Sequence, residues 1–70
     1  MYSLYFERFT GEKLLVKSQI ELPDEAYQII RDFIQSKNPN FHIYYIRSWG
    51  ENPIIYDVGS HTEFFYLYKE

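Results

Sequence analysis

The densest group of reactive side chains is Asp57-Val58-Gly59-Ser60-His61-Thr62-Glu63, which sets a carboxylate, a hydroxyl, an imidazole and a second carboxylate around a tight turn. These types are those of a Ser–His–Asp relay, but a relay needs all three groups to converge beside an oxyanion hole. Strand alternation puts Asp57 and His61 on opposite faces of a hairpin, and Ser60 at its tip has no helix N-terminus beside it. The segment therefore reads as turn chemistry or as a binding loop with Asp57, Ser60 and His61 as its candidates. The chain reads as non-enzymatic, with an enzyme centred on His61 and Asp57 as the catalytic alternative.

A second group sits on an aromatic strand. Tyr45, Arg47 and Trp49 share one strand face and Tyr44 lies on the other. A guanidinium between two rings can stack on either, or pair with a carboxylate or phosphate. A tryptophan at a strand end can anchor a partner or cap the edge of the core. Tyr66 and Tyr68 on the last strand complete the candidate contacts. His42, beside Tyr44 and Ile46, reads as a packed or hydrogen-bonded imidazole rather than a ligand. There is no glycine-rich phosphate loop. Cysteine is absent, which excludes disulfides and thiolate metal sites, and two histidines would need carboxylates to hold zinc. No cofactor or metal is predicted.

These side chains need elements to position them. Tyr2 to Phe9 alternates, with Tyr2, Leu4 and Phe6 on one face and Ser3, Tyr5, Glu7 and Phe9 on the other. Thr10-Gly11-Glu12-Lys13 is a turn, and Leu14 to Leu22 is a second strand, antiparallel to the first, with Leu14, Val16, Ile20 and Leu22 facing inward. Pro23 to Lys37 carries the one clear helical period: Ala26, Ile29, Ile30, Phe33 and Ile34 form a stripe with Tyr27 at its shoulder. Pro23 suits the first turn, Asp24 and Glu25 suit its positive end, and Pro39 stops it.

Phe41 to Trp49 is apolar on both sides and predicts a central third strand. Ile54 to Val58 and His61 to Tyr68 predict a hairpin around Gly59-Ser60, of the type II′ kind. That turn places Val58 opposite His61, Asp57 opposite Thr62, Tyr56 opposite Glu63, Ile55 opposite Phe64 and Ile54 opposite Phe65. Residues 1–70 are thus predicted as one small α+β domain. Its antiparallel sheet has four to five strands in ββαβββ order, with one helix on one face.

Seventy residues make a marginal core, burying about 60% of the unfolded surface, and self-association is the expected supplement. The net charge of −3 argues against nucleic acid, which needs a basic footprint, and is compatible with docking onto a basic protein surface. No apolar run reaches membrane length, and the N-terminal run lacks the basic and apolar blocks of a signal peptide. With no cysteine as well, the chain is expected in the cytoplasm.

Aromatic residues make up 21% of the chain, and one helix can cover only one sheet face. The other face would then present a contiguous aromatic patch, covered by a partner or a second copy unless a coiled sheet folds over it.

The segment Asp57-Val58-Gly59-Ser60-His61-Thr62-Glu63-Phe64-Phe65 resembles the closing strand of small proteins encoded by phages and prophages of Gram-positive bacteria. The resemblance implies function by binding, either by blocking a host or defence protein or by sequestering a signalling nucleotide between subunits. The expected function is a non-enzymatic protein-interaction module. The alternative is a small-molecule or nucleotide binder with a pocket at a subunit interface, lined by aromatics and Arg47.

Overall fold

The computed structural model describes residues 1–43, 45–59 and 63–70. Among them are one helix and five strands in a single antiparallel sheet. The strands are β1 (Tyr2–Glu7), β2 (Lys13–Ile20), β3 (Arg47–Trp49), β4 (Ile54–Asp57) and β5 (Phe64–Lys69), and the helix is α1 (Glu25–Lys37). Their order across the sheet is β2-β1-β5-β4-β3. The expected α+β architecture in ββαβββ order is therefore the observed one, with five strands.

The hydrophobic periods explain which face meets the helix. Leu4 and Phe6 of β1, Phe65 and Leu67 of β5 and Tyr56 of β4 are buried and pair directly across the strands. Ile20 of β2, Val58, and Ala26 and Ile30 of α1 complete the buried core. Phe65 is its centre: its ring lies 5.0 Å from Phe6 and 5.8 Å from Phe33, ring centre to ring centre. Along β2 the register with β1 slips near Leu4, and Gln19 adopts a φ of 55°. That irregularity returns Ile20 to the core face opposite Tyr2.

The helix begins two residues later than its sequence signals suggest. Pro23 and Asp24 form a turn, and the Asp24 side chain makes no capping bond. Glu25 instead fastens the chain entering the helix: its Oε2 accepts the Leu22 N–H at 2.9 Å. At the other end the Asn38 N–H is donated to the Ile34 carbonyl at 2.8 Å. Leu22, expected to face inward, is exposed because the chain has already left the sheet.

Two expectations are corrected. The strand predicted over Phe41–Trp49 is only Arg47–Trp49, and it lies at the sheet edge, not the centre. Phe41 and Ile43 instead sit beside the outer flank of α1, near Ile34 and Gln35, and Ile46 packs against the core. Their apolar character is used by the helix side of the molecule. The pairing of β4 with β5 is also not the one that a turn at Gly59-Ser60 would set. Ile54 faces Leu67, Ile55 faces Tyr66, Tyr56 faces Phe65 and Asp57 faces Phe64. This register sets apolar against apolar all along the core face, where the predicted one opposed Tyr56 to Glu63. A slip of two residues leaves every side chain on its expected face. Ser60, His61 and Thr62 lie outside the described residues.

Burial pushes the Tyr56 phenol up to about 12, with Tyr27 and Asp24 adding to the effect. The folded state thus keeps a proton that the unfolded chain gives up near 10.0. Above that pH the unfolded state binds fewer protons, so stability falls as pH rises from 10.0 through about 12, and Tyr56 contributes no pH dependence below it. Tyr56→Phe is expected to flatten this alkaline loss, measured as the urea midpoint against pH. Part of the slope remains in that variant, because burial and the bond to Glu7 raise Tyr66 as well.

Candidate functional site

The face away from α1 carries a row of apolar side chains that crosses all five strands. Leu15 of β2 faces Tyr5 of β1, Tyr5 faces Tyr66 of β5, Tyr66 faces Ile55 of β4, and Ile55 faces Trp49 of β3. Leu15 and Trp49 at the two ends are 56% and 47% exposed, and the three between are partly buried. Strand alternation produces this row: Tyr5, Ile55 and Tyr66 are each one residue out of phase with a buried core residue, Leu15 lies between the partly buried Leu14 and Val16, and pairing with Ile55 adds Trp49.

A second row runs beside it: Lys13, Glu7, Phe64, Asp57 and Arg47, again one from each strand. Its charges mirror one another about β5, with cations outermost, carboxylates inside them and a phenyl ring at the centre. All four charges are held in place. Asp57 is buried; its Oδ2 accepts from Arg47 at 2.7 Å and its Oδ1 accepts the Gly59 N–H at 2.9 Å. The Arg47 side chain is still 66% exposed, and its guanidinium lies 5.4 Å from the centre of the Tyr45 ring. The bond to Asp57 raises the Arg47 pKa further above its ordinary value.

At the other end Glu7 accepts from the Tyr66 hydroxyl at 2.8 Å. The Lys13 ammonium donates to the Tyr68 hydroxyl at 3.0 Å and stands 4.4 Å from the centre of the Tyr66 ring. The Tyr68 hydroxyl raises the Lys13 pKa, against a smaller opposing effect of burial. Tyr5 meets Tyr68 edge to face at 5.5 Å, and Tyr66 and Tyr68 stack at 6.5 Å. Behind them Ser3 is buried, with its hydroxyl donated to the Glu70 carboxylate.

Of the sequence-derived contacts, the structure brings Arg47, Trp49, Tyr66 and Tyr68 to this one face. Tyr45 lies at its margin beside Arg47 and is 48% exposed. Tyr44 lies outside the described residues, as do Ser60 and His61, so the arrangement of the proposed loop is described only through Asp57 and Gly59. Asp57 acts as the acceptor that anchors Arg47. Sequence reasoning missed Leu15, Tyr5, Lys13, Glu7 and Ile55. The alternation along β1 and β2 had placed Tyr5 and Leu15 away from the core, and only the strand order shows that they continue the row begun by Trp49.

Among the described residues no group of three or more histidines, aspartates or glutamates lies together to hold a metal, and no helix is long and apolar enough to cross a membrane. Comparison with known proteins finds no family model, no curated protein and no solved structure that matches this chain.

Proposed function

We propose that this protein is a non-enzymatic interaction module that works by laying its helix-free sheet face on another protein. The observation that carries this reading is the apolar row from Leu15 to Trp49, which no other element of the described chain covers. Tyr, Trp and Arg dominate the energetics of protein interfaces, and here they stand together, with the polar ends of Arg47, Tyr66 and Tyr68 already tethered. Such tethering reduces the side-chain ordering that binding must impose.

The mirrored charges select the partner. If two copies stacked face to face about a two-fold axis through β5, Lys13 would meet Arg47 or itself, and Glu7 would meet Asp57 or itself. Like charges brought together in this way oppose docking. The pattern fits a different protein whose surface has an apolar centre and acidic groups facing Lys13 and Arg47. Those two residues stand four strand spacings apart, about 19 Å. The four charges of the row cancel, so the net −3 of the chain is carried elsewhere and this face needs no basic partner surface. The self-association expected of so small a domain would then use an edge or an offset pairing.

The resemblance over Asp57–Phe65 supports a cytoplasmic accessory protein or inhibitor of the phage type, directed at a host or defence protein. Sedimentation velocity of the wild type and of a Lys13→Glu, Arg47→Glu variant tests the assignment. The reading expects a wild type that does not dimerise through this face and a variant that no longer captures the partner. A wild-type dimer that the two substitutions dissociate would place a second copy on the face instead.

A further inference from the structure

We infer that the cavity at the C-terminal end of α1 is a separate site for a small aryl or acyl carboxylate. It encloses about 330 Å³, within the range of small-molecule sites. Phe6, Val58 and Phe65 form its buried floor, and the partly buried Phe33, Ile34 and Phe41 form its walls. Four phenyl rings suit a flat or chain-like apolar body. The cavity opens on the helix side of the sheet, so it is independent of the docking row.

The charges at its mouth choose the head group. Arg8, Lys37, Asn38 and Glu63 border it. Lys37 Nζ rests 5.2 Å from the centre of the Phe33 ring and makes no ion pair among the described residues. Arg8 meets Glu12 only at 3.6 Å, between two well-exposed side chains. Arg8 is thus shared with Glu12, and Lys37 is the cation at the mouth left to meet a single carboxylate. A phosphate ester fits poorly. The neighbouring helix end is its negative pole, which opposes a phosphate of about two negative charges more than a carboxylate of one, and the Asn38 N–H is already given to Ile34.

The test titrates isotope-labelled full-length protein with 2-naphthoate and with the neutral 2-naphthamide, followed by amide chemical shifts. The site predicts saturable shifts confined to the segments around Phe6–Arg8, Phe33–Phe41, Val58 and Glu63–Phe65, with naphthoate bound about fivefold tighter than the amide. Lys37→Gln combined with Arg8→Gln should erase that preference and leave the thermal midpoint unchanged, since both side chains are at the surface. Trp49→Ala should leave binding unaltered, which separates this site from the docking face. Absence of saturable shifts at millimolar ligand, equal affinity for acid and amide, or a preference that survives the double substitution would overturn the assignment.

Discussion

Trp49→Ala combined with Tyr66→Ala is expected to weaken capture of the protein partner by at least about thirtyfold, the effect of losing about 2 kcal/mol. The two side chains belong to one row with Ile55 between them, so a single flat surface would lose both anchors. The stability cost should be much smaller. Trp49 is 47% exposed on a three-residue edge strand, and its truncation should cost within about 0.5 kcal/mol. Tyr66 is partly buried and gives its hydroxyl to Glu7, so its truncation should cost about 1 to 2 kcal/mol. Tyr66→Phe keeps the ring and removes only the hydrogen bond, and should retain most of the binding. Affinity measured beside chemical denaturation separates the two effects. Parallel loss of binding and stability would mean that these residues serve the fold alone.

Phe65→Ala is expected to have the largest effect on the fold. The ring is fully buried and sits between Phe6, Phe33 and the β4 residue Tyr56. Removing a buried phenylalanine costs about 3 to 5 kcal/mol, partly as lost burial and partly as the cavity left behind. A 70-residue domain has only about 4 to 10 kcal/mol to lose. The variant should therefore be largely unfolded at 37 °C or melt far below the wild type by circular dichroism. A change below about 1 kcal/mol would show that the core is not organised around this ring.

The two faces of β1, β4 and β5 were legible in the sequence because each strand is buried on one side and period two leaves no alternative assignment. The stripe from Ala26 to Ile34 was equally clear, and Ala26 and Ile30 are its buried centre. Phe41 to Ile46 was not legible. A run with apolar residues on both sides reads equally as a central strand or as a segment wedged beside a helix, and only the position of α1 decides between them. The register of β4 and β5 failed for a related reason. Gly59-Ser60 is a strong local turn signal, but pairing Tyr56 with Phe65 and Ile54 with Leu67 involves more buried surface than a favourable turn supplies.

The site was half legible for reasons of topology. Arg47, Trp49, Tyr66 and Tyr68 stood out by residue type. Their union with Tyr5, Leu15 and Lys13 depends on β1 lying between β2 and β5, which no local pattern specifies. Part of the apolar surplus was also resolved inside the chain, since Ile46 packs against the core and Phe41 and Ile43 lie beside the helix. What remains uncovered is the narrower strip from Leu15 to Trp49.

Hydroxyl-radical footprinting of the free protein and of the complex captured from its host tests that strip most directly. Tyr5, Tyr66 and Trp49, the single tryptophan of the chain, report on it from three strands at once. The account predicts protection of all three in the complex, with Tyr27 and the outer side of α1 oxidised as in the free protein. Protection of the helix with Trp49 and Tyr66 unchanged would contradict it.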